Sequence, residues 1–144
     1  ILPGLSDEFA TQVPLEQLQA ESDVLSLHVP LTSQTLYMVD EQFIAGMKKD
    51  FYLINTARGK NVKTKDLVEA IKTGKVKGAA LDVLEYEKSS FENLDVTDDD
   101  LKFLLNSEKA LLTPHIAGWT HQSKIKLAQV IVDKILAKFP PSKI

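Results

Sequence analysis

FYLINTARG, Phe51 to Gly59, decides how the rest of the chain reads. Its first four residues, Phe51 to Ile54, form a short apolar run of the kind that makes a buried strand. They lead into a polar turn, Asn55-Thr56-Ala57, then a lone arginine and a glycine. An arginine at the exit of a buried strand can grip a carboxylate or phosphate with its planar fork of donors. Taken alone, Arg58 is better read as an ordinary surface residue. The reading shifts because the same layout recurs downstream, with a carboxylate and then with a histidine.

Working outward, Asp23 to Val29 is an aliphatic run stopped by Pro30, and reads as a buried strand. Residues 1 to 22 read as loop with one short helix around Leu15 and Leu18. Asp40 offers an N-cap to a helix from Glu41 to Met47. A second helix is expected with Thr64 as N-cap, Leu67, Val68 and Ile71 as its apolar stripe, and Gly74 as its C-terminal cap. Val76 to Val83 is the third strand, and its small residues Gly78, Ala79 and Ala80 suggest a closely packed helix. Thr97 to Asp100 matches a capping box ahead of Leu101, Leu104 and Leu105. Ala110 to Thr113 is the fourth strand. Thr120 to Phe139 is the longest helix, roughly 30 Å at 1.5 Å per residue. It suits a helix crossing between domains about as well as one covering the sheet.

Strands alternating with helices indicate an α/β fold: a parallel sheet with right-handed crossovers and helices on both faces. Ligands of such sheets bind beyond the carboxyl ends of the strands. His28, Arg58, Asp82 with Glu85 and Glu87, and His115 all fall at those ends. Each has a plain structural reading. His28 suits a strand end, Asp82 a turn cap, Glu87 a solvated carboxylate, His115 a buried structural imidazole, and His121 the first turn of the last helix. Together they suit chemistry on a small carboxylate. Arg58 would hold the acid group, His115 would pass the proton, and Glu87 would orient the imidazole and raise its pKa. Hydride transfer is the natural partner step, and it requires a nicotinamide cofactor.

Composition narrows the classes. The formal net charge is −3 and the basic residues are scattered, which argues against a nucleic-acid partner. There is no cysteine, no convincing metal spacing, and no apolar run approaching the roughly 18 residues of a membrane span. The expected setting is cytoplasmic.

Four collinear stretches, SDVLSLHVPLTSQT, MKKDFYLINTARG, GAALDVLEYE and LLTPHIAGWT, resemble the D-isomer-specific 2-hydroxyacid dehydrogenase family. The resemblance runs from about Glu21 to Phe139. It implies Arg58, Glu87 and His115 as the catalytic set, with Arg58 and His115 facing substrate. It implies a cofactor site drawn from His28, Val29, Pro30, Thr35, Thr56, Ala57, Arg58, Asp82, His115 and Gly118, with Asp82 meeting the nicotinamide carboxamide. The implied cofactor is NAD, with NADP left open, and the implied partners are a small 2-keto or 2-hydroxy acid and a second copy of the chain. A Glu rather than a Gln beside the histidine argues against the family's formate-oxidising branch. Phosphoglycerate is favoured slightly over lactate by resemblance alone. A nucleotide-sensing corepressor-like relative and an inactive fragment are the alternatives.

The resemblance also has a gap. The glycines, at 4, 46, 59, 74, 78 and 118, nowhere form the G-x-G-x-x-G turn that seats a pyrophosphate. The chain therefore reads as a Rossmann-like half domain. Residues 1–118 would be the second half of the cofactor domain, and 119–144 a helix returning towards a substrate domain.

Overall fold

The computed structural model describes residues 4–86 and 98–140. The elements follow in the order α1 (Leu15–Glu21), β1 (Val24–Leu27), α2 (Glu41–Gly46), β2 (Phe51–Asn55), α3 (Thr64–Thr73), β3 (Val76–Leu81), α4 (Asp99–Asn106), β4 (Ala110–Leu112) and α5 (His121–Lys138). A 3-10 turn, Gly59–Asn61, lies between β2 and α3. The four strands form one sheet in the order β1-β2-β3-β4, every pair parallel. This is the expected Rossmann-like half domain with its long C-terminal helix.

The strand interiors explain why the sheet forms. Leu25, Leu27, Phe51, Leu53, Val76 and Leu81 are all buried, and they alternate along β1 and β2 as a half-buried sheet requires. They pack with Val68, Ile71, Leu101 and Leu104 from α3 and α4 in a single core. Burying each such side chain contributes about 1.5–3 kcal/mol. Sequential right-handed crossovers that step one way across a sheet place their helices on one face. The other face stays open among the described residues: Val24, Tyr52 and Leu111 are at least half exposed.

Local signals set most helix ends. The Asp40 carboxylate accepts the Phe43 amide and starts α2, as expected. Gly74 closes α3 with φ +85°, a left-handed conformation that suits glycine. Two starts differ from expectation. α3 begins at Thr64 itself, after Lys63, whose side chain makes no cap. The amide of Thr64 is satisfied instead by the distant Glu85 carboxylate at 2.9 Å. α4 is capped by Asp98, which accepts the Leu101 amide, while Thr97 of the expected capping box lies outside the described residues.

Gly78 also serves a different purpose from the one expected. Its missing Cβ makes room for the Tyr52 ring and the Lys109 carbonyl beside a register shift between β2 and β3, not for a helix. α5, capped by Thr120, buries no residue. Leu127, Ile131 and Ile135 along it are more than half exposed, so it does not cover the sheet.

Candidate active site

The strand register aligns the candidate residues. Leu27 pairs with Asn55, Asn55 with Leu81, and Leu81 with Leu112. These four residues form one row across the carboxyl edge. The chain therefore leaves the sheet together at His28, Thr56, Asp82 and Thr113. Arg58 and His115 stand at the same distance from that row, three residues past Asn55 and three past Leu112. Residues remote in sequence thus share one rim because parallel strands share a direction.

At the Arg58 turn, two buried amides hold the backbone. Asn55 Oδ1 accepts the Ala57 amide at 3.1 Å, and Asn55 Nδ2 donates to the Arg58 carbonyl at 3.0 Å. Asn61 Oδ1 accepts the Arg58 amide at 3.0 Å. Both polar backbone groups of Arg58 are therefore satisfied, while its side chain remains exposed. Arg58 Nη1 donates to the adjacent Ala57 carbonyl, which leans the guanidinium along its own turn. Gly59 makes the turn fit. A Cβ there would stand 1.9 Å from the Leu84 carbonyl oxygen and 2.7 Å from the Glu85 amide nitrogen. Glycine is what lets the β2 exit lie directly on the β3 exit.

At the third and fourth strands, Asp82 organises the histidine. Its side chain is buried and its Oδ1 accepts the Thr113 hydroxyl at 2.6 Å and the Ile116 amide at 2.8 Å. Oδ2 accepts the Ala117 amide at 2.9 Å. The Asp82 carbonyl also accepts the His115 amide at 2.9 Å. Consecutive amides converging on one anion form a nest. That nest holds His115 in a left-handed backbone, φ 55°, which non-glycine residues adopt uncommonly. Burial pushes the Asp82 carboxyl up. The Thr113 hydroxyl, the Ala117 and Ile116 amides and the charge of His115 outweigh it and hold the group below its usual value.

The remaining candidates divide. His28 is exposed, and its Nε2 lies 2.8 Å from the Ser26 hydroxyl. Val29 is half-buried and Pro30 exposed beside it. The Thr35 hydroxyl bonds the Pro30 carbonyl at 2.6 Å and accepts the Thr32 amide, so it braces its own loop. Thr56 is exposed, Ala57 buried and Gly118 exposed. Glu87 lies outside the described residues. Glu85 binds the start of α3, and its hydrogen bond to Tyr37, with burial and its own charge, raises the pKa of that phenol. Among the described residues no group of three or more His, Cys, Asp or Glu could hold a metal ion, and no helix is long and apolar enough to cross a membrane.

Asn55, Asn61 and Gly59 were not singled out by sequence reasoning. One signal was available: the two asparagines stand three residues either side of Arg58.

A profile described as D-isomer specific 2-hydroxyacid dehydrogenase, NAD binding domain, matches residues 4–117. The chain belongs to this family. A glyoxylate reductase of Korarchaeum cryptofilum is 40% identical over 134 residues, covering 90% of this chain and 38% of that protein. A D-specific alpha-keto acid dehydrogenase of Enterococcus faecium is 43% identical over 116 residues, covering 77% of this chain and 36% of that one. In structure, a D-lactate dehydrogenase of Treponema pallidum superposes with TM-score 0.75 at 32% identity, over 98% of this chain and 45% of its own. The chain thus spans well under half the length of the curated relatives it matches. The matched residues, 4–117, fall within the part of the family described as its NAD binding domain.

Proposed function

We propose that the protein carrying this chain interconverts a small 2-keto acid and the D-2-hydroxy acid, using NAD. The observation that carries the reading is the common rim, with Arg58 and His115 each three residues beyond one row of paired strand ends. Arg58 binds the substrate carboxylate with two parallel hydrogen bonds, a task its planar fork performs and lysine does not. His115 gives a proton to the carbonyl oxygen during reduction and takes it back during oxidation. Glu87 bonds the second ring nitrogen and fixes the tautomer.

The fit to NAD rests on Asp82. Its Oδ2 accepts one bond within the nest and so keeps acceptor capacity for a carboxamide N–H. His28, Val29, Pro30, Thr56 and Ala57 would line the adenosine side, with Thr35 bracing that loop and Gly118 beside His115. The bound nicotinamide supplies or takes the hydride. The glycine turn for the pyrophosphate is absent from this sequence, so that part of the site belongs to other residues. In this reading, residues 119–144 lead towards a substrate domain, and the exposed apolar residues of α5 support the assignment. The whole protein works as a cytoplasmic homodimer.

Relatives named for glyoxylate, D-lactate and aromatic 2-oxoacids favour a 2-keto acid class over any one member. The test is turnover of the full-length protein with NADH against glyoxylate, pyruvate, phenylpyruvate and phosphohydroxypyruvate. At least one should be reduced, and His115→Ala should lose at least about 100-fold in kcat. Near-normal kcat in His115→Ala would remove the histidine from its role, and no turnover of any 2-keto acid would end the reading.

A further inference from the structure

Asn61 has no exposed surface, and its amide faces two ways. Oδ1 accepts the Arg58 amide at 3.0 Å, while Nδ2 donates to the Thr35 carbonyl at 3.0 Å. The donor and acceptor ends match only in this orientation. Around it, segment 35–39 is laced to segment 60–63. The Tyr37 amide donates to the Lys60 carbonyl at 2.8 Å, the Val39 amide to the Asn61 carbonyl at 3.0 Å, and the Lys63 amide to the Val39 carbonyl at 3.0 Å. Val39 and Val62 form a parallel bridge, and Tyr37 takes a left-handed φ of 52° to enter this arrangement. The loop that leaves β1 is thereby fastened to the turn that presents Arg58.

We infer that Asn61 is a positioning residue that couples the cofactor-side loop Pro30–Tyr37 to the carboxylate-binding Arg58. The inference rests on the proposed function. A side-chain amide can accept from Arg58 and donate to Thr35 at once, at any pH. The site is fully buried, so truncation removes the protein partner of one donor, the Arg58 amide, and of one acceptor, the Thr35 carbonyl. Arg58 then loses its fixed backbone, and a displacement of about 1 Å at a substrate-positioning group can cost 100-fold.

Two variants of the full-length protein test this, assayed with NADH and whichever 2-keto acid is turned over. Asn61→Ala should raise KM for the keto acid at least tenfold, with a smaller effect on kcat, and should raise the Kd for NADH. Asn61→Asp adds a signature that a loss of stability would not give. Protonated, its acid group can accept from Arg58 and donate to Thr35 as the amide does. Ionised, it turns a second negative oxygen on the Thr35 carbonyl. Burial raises a carboxyl pKa, so the variant's keto-acid KM should match wild type near about pH 5 and exceed it increasingly towards about pH 8. The Asp variant at low pH carries the test if Asn61→Ala does not fold. A KM within twofold of wild type in Asn61→Ala, or a pH-independent ratio in Asn61→Asp, would overturn the coupling while leaving the wild-type activity intact. A wild-type protein that turns over no 2-keto acid would overturn the functional reading itself.

Discussion

Replacing Gly59 by alanine adds one methyl group where the structure has no room for it. The new Cβ would meet the Leu84 carbonyl oxygen at 1.9 Å, the Leu84 carbonyl carbon at 2.1 Å and the Glu85 nitrogen at 2.7 Å. All three are backbone atoms, so no side chain can swing aside. Ordinary contact begins near 3.4 Å, and either the Arg58 turn or the β3 exit must retreat by more than about 1 Å. Overpacking of this kind costs about 1–3 kcal/mol in stability. In the proposed function the cost to activity is larger, because one side of the clash carries Arg58, the proposed carboxylate-binding residue. Displacing catalytic groups by about 1 Å costs on the order of 100-fold. Steady-state assays of the full-length Gly59→Ala protein, followed by nicotinamide absorbance, should therefore show kcat/KM reduced about 100-fold, with Tm lowered by several degrees. A variant within threefold of wild-type kcat/KM at an unchanged Tm would show that the two exits do not constrain each other.

Two further predictions concern charge. Asp82→Asn keeps one acceptor but turns an N–H towards the Ala117 amide, so it should lose about 1–3 kcal/mol and slow turnover by loosening His115. The wild-type carboxyl lies below its ordinary value. Its contribution to stability is thus fully present above the unfolded Asp pKa of about 3.9 and is lost as pH falls through the folded value. Tm measured between about pH 3 and pH 7 should show that acid-side loss in wild type and a shallower one in Asp82→Asn. Glu85→Ala removes the acceptor at the start of α3, worth about 0.5–2 kcal/mol. The raised phenol of Tyr37 should move back towards the usual tyrosine value, detectable by ultraviolet titration. Any stability that Tyr37 adds is present below the unfolded tyrosine pKa and is lost as pH rises through the folded one, and this loss should also fade in the variant.

Much of the fold was legible because its signals are local. Short apolar runs mark all four strands, and Asp40 and Gly74 mark helix ends through chemistry confined to one turn. The rim was legible too, since parallel strands put their carboxyl ends on one edge whatever the side chains. The contacts that organise the rim were not. Gly59 is required by Leu84 and Glu85, some twenty-five residues away, and a glycine after an arginine does not announce its neighbour. Asp82 could be placed on the rim, but its hold on Thr113, Ile116 and Ala117 depends on β3 pairing with β4. Helical spacing in α5 shows an apolar stripe without saying what covers it. Glu85 shows how a distant carboxylate can do the work expected of a local cap: it fills the place at α3 that sequence gave to Thr64.

The central claim is that Arg58 and His115 close on one small acid. A crystal structure of the full-length protein with NADH and oxamate, a non-reducible 2-keto acid analogue, tests it most directly. The account predicts both oxygens of the oxamate carboxylate on the Arg58 guanidinium and the His115 ring within hydrogen-bond distance of the adjoining carbonyl oxygen. Oxamate bound with its carboxylate on another cation, and Arg58 turned away from it, would contradict the account.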